Sequence, residues 1–291
     1  MPDYIISGHI PASIEISPKQ ACESEAIVGL FPENTRVYIT DIGTDPTDTL
    51  VAAAKRVRDL GYTPVPHFAA RRMVSSDILE DRVKRMASEA DVTDVLVIGG
   101  GLEKEAGEFD STMALLNTGV FERHGILHMG VAGHPEGSPD FDLDTAMEAL
   151  HQKQAFADKT GLNLRIVTQF GFDAPAFIDW ARDVRAAGIN LPIHLGVAGP
   201  TKVTTLIKFA AMCGVGNSLD FLKKRGSAMA TMVKGFDPDE IAAPLDEYWQ
   251  AHGADSPITQ LHVFPFGGVK KSSAWLRERG SWPALSQVDA A

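Results

Sequence analysis

Ile166-Val-Thr-Gln-Phe-Gly-Phe-Asp173 is the stretch from which the architecture of this chain can be worked out. Arg165, Ile166 and Val167 open a short buried strand, because β-branched and apolar residues fill consecutive positions. Thr168 and Gln169 then place polar groups where that strand should end. Asp173 stands before a helical pattern, Ala174 to Ala187, and is a candidate N-cap. A strand that runs straight into a helix is half of a βα unit. In a barrel of such units, side chains at the C-terminal strand ends build the active site. Gln169 occupies that position, with an amide that both donates and accepts.

The same alternation extends in both directions. Strand-like runs occur at Ser13–Ile16, Arg36–Thr40, Pro64–Phe68, Val95–Gly99, Ile126–Ala132, Leu164–Phe170, Ile193–Val197 and Leu261–Phe266. Helical stretches with apolar residues three and four apart lie between them. These are Thr47–Leu60, Ser76–Ala90, Thr145–Ala157, Pro175–Ala187, Thr201–Met212 and Pro238–Ala251. Strands alternating with helices imply a parallel sheet, and eight of them favour closure into a single (β/α)8 TIM barrel. With no repeat, low-complexity tract or linker, residues 1–291 are expected to form one domain. A further helical piece is expected at Asn217–Val233. The stretch Arg277–Ala291 loses its pattern and reads as a C-terminal tail.

Composition narrows the function. The 291 residues suit one (β/α)8 barrel, and 44% hydrophobic residues can fill its core. A net charge of −11 argues against nucleic acid or an anionic membrane surface as a general partner. The two cysteines, Cys22 and Cys213, have neither metal spacing nor a disulfide framework. No secretory signal precedes the first strand, and no apolar run approaches the roughly 18 residues of a membrane span. A reducing cytoplasm is the expected location.

Polar and glycine residues collect at the expected strand ends. They are Glu15, Thr40 with Asp41, His67, Gly99-Gly100-Gly101, His134-Pro-Glu-Gly, Gln169, Gly196 to Pro200, and Pro265-Phe-Gly-Gly. Asp41, Asp45 and Asp48 could suggest a metal, but helix caps and first-turn acids explain them better, so no metal is expected. Arg71 and Arg72 have the forked geometry to bind a diphosphate, or are solvated charges at a helix entry. The glycine run would let backbone approach a ligand closely, although it is not a Gly-x-Gly-x-x-Gly fingerprint.

Five segments come in the order and spacing of a known family: Ser13–Pro18, Val65–Ala70, Val131–Pro139, Ile166–Asp173 and Leu191–Pro200. With Val-Ala-Gly-His-Pro-Glu-Gly and Val-Thr-Gln-Phe-x-Phe-Asp, the chain resembles the methylenetetrahydrofolate reductases from about Ile14 to Phe266. The resemblance implies a barrel that binds FAD and moves a hydride between flavin and a folate. The family reaction interconverts 5,10-methylenetetrahydrofolate and 5-methyltetrahydrofolate, and NAD(P)H reduces the flavin. By position, Glu15 matches the proposed general acid, for which a raised carboxyl pKa would serve. Gln169 matches the pterin-gripping glutamine, with Phe170 and Phe172 beside it as substrate contacts. Thr40, His67, Ile98, Gly99, Gly100, Ala132, His134 and Lys153 fall at flavin positions. Four of them have a plainer alternative. Glu15 can be an N-cap or ion-pair partner, Gln169 a satisfied strand-end residue, His67 a core histidine, and Lys153 a surface charge.

The chain also departs from the family. Ile98-Gly99-Gly100-Gly101 replaces Leu-Arg-Gly-Asp, so the Arg and the Asp are both missing. His134 replaces a tyrosine, Ser138 a histidine, and an arginine and asparagine near Ala149 and Gln152 are absent. These changes fall on the flavin side, while Glu15 and Gln169 on the folate side remain. Three readings stand: a flavin-dependent enzyme, direct hydride transfer from NAD(P)H, or a barrel that binds folate or another C1 carrier without turnover. A homodimer is the expected assembly by analogy with the family.

Overall fold

The apolar, β-branched runs become eight strands: β1 (Ala12–Ile16), β2 (Arg36–Ile39), β3 (Thr63–Ala69), β4 (Asp94–Ile98), β5 (His128–Gly133), β6 (Asn163–Phe170), β7 (Ile193–Ala198) and β8 (Ile258–Phe264). They form a closed barrel in sequence order, as the alternation of strands and helices requires. The computed structural model describes residues 8–23, 25–138, 141–212, 235–266 and 268–284. Pairing is parallel, for example Ile14 with Val37, Tyr38 with Val65, and His67 with Leu96.

Among the described residues, the helices are α1 (Pro18–Glu23), α2 (Thr47–Asp59), α3 (Ser76–Ala90), α4 (Thr112–Leu116), α5 (Val120–Arg123), α6 (Leu143–Thr160), α7 (Ala174–Ala186), α8 (Val203–Met212), α9 (Asp239–His252) and α10 (Val269–Glu278). The helix expected at 217–233 lies outside the described residues.

Local chemistry sets most of the boundaries. Asp173 caps α7 as its sequence position suggests, its Oδ1 accepting from Ala176 N at 3.0 Å. Ser75 caps α3, and Asp91 ends it in the left-handed region at φ 50°. Two strand starts differ from the hydropathy pattern. Ile126 is buried, but its N–H donates to Phe121 O at 2.9 Å and closes the turn after α5, so β5 begins at His128. β8 starts three residues before Leu261 because Gln260 is buried in register with His194, although its polarity breaks the apolar run.

By internal contacts the chain divides into two compact units, although no linker in the sequence marks a division. The first unit is Ile14–Ala132 with Gln152–Arg165. Its core holds Ile14, Val37, Val65, Phe68, Val95 and Phe121, and the rings of Phe68 and Phe121 meet edge to face at 5.2 Å. This unit also buries ions. Arg165 Nη1 lies 2.8 Å from Asp94 Oδ1, and Arg36 Nε 3.0 Å from Asp94 Oδ2. Arg165 also donates to the Tyr38 hydroxyl from Nε at 3.0 Å and Nη2 at 2.8 Å. Burial opposes the Arg165 charge, yet its neighbours hold its pKa above the ordinary arginine value. Burial raises the Tyr38 pKa, so the phenol is neutral and Asp94 is the carboxylate that balances the guanidinium.

The second unit is Met1–Ser13, Gly133–His151 and Ile166–Ala291. Its core is aromatic: Phe170 meets Phe172, Phe264 and Phe266 at ring separations of 5.9, 5.4 and 5.0 Å. The stretch expected to be a tail is packed here as far as Trp282. Trp282 is 1% exposed and donates from Nε1 to Ala12 O at 2.9 Å. Buried Arg279 pairs with Asp239 at 3.0 Å and with Asp246 at 2.5 Å. A tryptophan and an arginine were hidden in a stretch whose periodicity had ended, because single anchoring side chains need no repeat.

Candidate active site

In the first unit the candidate residues stand at the ends of neighbouring strands. Glu15 is the one partly exposed position of β1, between Ile14 and Ile16, which are 0% and 1% exposed. Its Oε2 lies 3.6 Å from His67 Nε2, with side-chain exposures of 18% and 9%. That separation is an ion-pair distance, beyond a good hydrogen bond. The His67 ring stands edge-on to Tyr38, centroids 6.1 Å apart, and Tyr38 is the residue gripped by Arg165. The acid and the imidazole are thus brought together, and the buried ion network supports the ring beside them. Such a pair can exchange a proton and hold one near a substrate.

Thr40 follows β2, and its N–H donates to Ile16 O at 3.1 Å. Ile98, Gly99 and Gly100 are partly exposed at the end of β4. Gly100 adopts φ +77°, and a Cβ there would meet Ala69 Cβ at 2.9 Å, so glycine is needed for the loop to lie against β3. A Cβ on Gly99 or Gly101 would meet nothing within 4 Å. Lys153 is buried rather than a surface charge. Its Nζ donates to Ala132 O at 3.2 Å, and desolvation pushes its pKa down to about 8.

The arginines after β3 differ from the diphosphate expectation. Arg71 turns toward the protein, donating from Nε to Asp110 O and from Nη1 to Leu102 O, each at 2.9 Å. Arg72 lies over Gly43, where a Cβ would stand 3.0 Å from its Cδ. Asp41 is not a helix cap. It accepts from Gly43 N at 2.8 Å and pairs with Arg82 Nη1 at 2.7 Å, while α2 is led by Pro46 without a side-chain cap. Asp48 does sit in the first turn of α2 and pairs with Arg85 at 2.6 Å. The described residues contain no His/Cys/Asp/Glu cluster able to hold a metal.

In the second unit Gln169 sits where the β6–β7 register shifts, between Val167 and Phe170. A bulge of this kind re-aims a side chain at a strand end. Gly196 makes it fit, since a Cβ there would stand 2.6 Å from the Gln169 carbonyl atoms. Thr168 Oγ1 accepts from Gly196 N at 2.8 Å, and Gln169 Oε1 accepts from Phe170 N at 3.1 Å. This leaves the Gln169 amide NH2 as the donor end. Phe170 and Phe172 are each 1% exposed and belong to the aromatic cluster. His134 packs edge-on against Phe141 at 4.9 Å, and its carbonyl accepts from Gly137 N at 3.0 Å.

Residues missed in the sequence are Tyr38, Asp94 and Arg165. A charge inside an otherwise apolar strand run, as at Asp94 and Arg165, was the available signal, because such a charge is buried only with a partner.

Fold and residues together define a (β/α)8 barrel with an acid–imidazole couple and a glycine loop at its strand ends. Comparison with known proteins gives the family. The methylenetetrahydrofolate reductase profile matches residues 31–223, and the chain belongs to the methylenetetrahydrofolate reductase family. It is 32% identical over 174 residues to methylenetetrahydrofolate reductase 1 of Schizosaccharomyces pombe, covering 57% of this chain and 27% of that protein. The chain therefore spans about a quarter of that relative's length. It is 26% identical over 280 residues to the 5,10-methylenetetrahydrofolate reductase of Pectobacterium carotovorum subsp. carotovorum, covering 91% of this chain and 85% of that one. Among solved structures, a Clostridium thermocellum protein described as binding two copies of 5-methyl-5,6,7,8-tetrahydrofolic acid aligns with TM-score 0.55 and 13% identity. That alignment covers 94% of this chain and 96% of the other. At that identity it speaks for the fold alone. No described helix is long and apolar enough to cross a membrane.

Proposed function

We propose that this chain interconverts 5,10-methylenetetrahydrofolate and 5-methyltetrahydrofolate, with Glu15 as the acid. The observation that carries this reading, beside family membership, is the pairing of Glu15 and His67 at 3.6 Å. In the reducing direction Glu15 gives a proton to the folate nitrogen as the imidazolidine ring opens, and a hydride reaches the freed methylene carbon. His67 holds the carboxyl group close to an imidazole that can return the proton. Gln169 holds the pterin through the donor and acceptor of its amide.

FAD is proposed as the hydride carrier, placed by Thr40, His67, Ile98, Gly99, Gly100, Ala132, His134 and Lys153. When bound, it would supply two-electron storage between the nicotinamide and the folate. The open space at Gly99 and Gly101 fits a group that lies against backbone. A second reading, direct hydride transfer from NAD(P)H, is favoured by the loop after β4, where Ile98-Gly99-Gly100-Gly101 stands without the arginine and aspartate expected beside a flavin.

The test is the visible spectrum of the purified protein, followed by anaerobic addition of 5-methyltetrahydrofolate. A flavin spectrum that bleaches supports the FAD reading. A colourless protein that gains no flavin from added FAD, yet turns over with NADH or NADPH, supports direct transfer. Folate binding with no turnover under either condition overturns the catalytic proposal.

A further inference from the structure

We propose that Arg71 is a positioning residue which fixes the glycine loop after β4, and that the loop, so fixed, sets affinity for the hydride carrier. The proposal rests on the reading above for what the loop binds. The clamp itself is described by geometry. Arg71 joins the loop at four points: its N–H donates to Gly99 O at 2.9 Å, its carbonyl accepts from Ala106 N at 2.8 Å, and its side chain reaches Leu102 O and Asp110 O. One residue in the turn after β3 thus spans the loop from its first glycine to the residue before Ser111, the cap of α4.

Neighbouring contacts close the same seam. Ser76 donates from N and Oγ to Glu108 Oε2 at 2.9 and 2.6 Å. Gly107 passes so near Val74 that a Cβ would fall 1.9 Å from its carbonyl oxygen. Three glycines in a row carry a large conformational entropy, and left alone they would sample many shapes. The planar guanidinium, with donors in fixed directions, can satisfy two carbonyls at once where a lysine ammonium on a flexible stem cannot hold both. Arg71 reaches the loop from the short helical turn Ala70–Arg72 that follows β3. Loop shape, rather than a cation on the ligand's phosphates, is then what Arg71 contributes.

Arg72 supplies the control. It carries the same charge one residue on, and among the described residues it makes no hydrogen bond to the loop. Arg71→Lys, Arg71→Ala and Arg72→Ala are compared with the unaltered chain for backbone amide exchange, for KM of NADH or Kd of FAD, and for Kd of 5-methyltetrahydrofolate. The clamp is supported if both Arg71 variants speed exchange across 99–110. The proposal also requires the carrier constant to rise about tenfold or more while the folate constant stays within about twofold. Should Arg71→Ala fail to fold, Arg71→Lys keeps the charge and still reads the lost fork. An Arg71→Lys loop that exchanges as slowly as in the unaltered chain overturns the clamp. An equal rise of the carrier constant in Arg72→Ala overturns it too, since charge on the ligand would then be the cause. Faster exchange with an unchanged carrier constant overturns the link to the carrier. If the unaltered chain neither binds folate nor turns over, the functional reading fails, and amide exchange still decides the clamp.

Discussion

The two units place their candidate residues on different foundations. In the first, Glu15 and His67 stand beside a buried ionic network of Tyr38, Arg165, Asp94 and Arg36. In the second, Gln169 stands on a strand bulge above packed phenylalanines. The contrast follows from the task proposed for each. A proton-handling couple needs fixed charges nearby, held where water does not screen them. An amide that recognises a ring needs a rigid, apolar base that fixes its direction, and aromatic rings supply one without competing hydrogen bonds.

The sharpest way to break this comparison is Glu15→Gln. It keeps size and polarity but removes the transferable proton, so kcat should fall roughly 10²–10⁴-fold with folate binding retained. Stopped-flow measurement of the folate half-reaction checks it, and a rate near that of the unaltered chain would end the catalytic assignment. Asp94→Ala tests the foundation instead. It leaves Arg165 buried without its carboxylate and should cost about 3–5 kcal/mol in urea unfolding. Replacing both residues by apolar ones of similar volume should cost much less, because no charge is then left unpaired.

Lys153 gives a pH test within the first unit. Its pKa is about 8 in the folded chain, against about 10.4 unfolded. Between these values the unfolded chain binds more protons, so stability should rise with pH across that window. Below pH 8 the buried charge should cost about 3 kcal/mol relative to a neutral side chain. Lys153→Met should flatten the rise, as read from melting temperatures at pH 7.5 and 9.5. On the second unit, Gln169→Glu keeps an acceptor for Phe170 N but loses the amide donor. KM for folate should rise roughly tenfold to a hundredfold with a small change in melting temperature. The smallest effect is expected from Asp173→Ala, about 1 kcal/mol, as one helix loses its cap.

The strand pattern placed Glu15, His67, Gln169 and the glycine run at strand ends, and β1, β3, β6 and β4 end within two residues of them. The same reading erred where a residue's partner is remote in sequence. Asp41 looked like a cap because a proline and a helix follow it, yet Arg82 on α3 takes its carboxylate. Arg71 could be read as a diphosphate contact or a solvated charge, yet carbonyls of the loop after β4 take its guanidinium. Lys153 sits among charged neighbours in the sequence, and only helix packing shows that its side chain is buried.

What the sequence determined by itself was the alternation of strand and helix, the capping of α7 by Asp173, and the positions where polar groups meet strand ends. These follow from periodicity and from neighbours within a few residues, which a linear reading contains. Tertiary structure alone decided which charges face one another: Glu15 with His67, Arg165 with Asp94 and Tyr38, and Arg71 with the glycine loop. Those pairings join strands and loops tens of residues apart. Desolvation, which gives them their strength, exists only once the chain has closed around them.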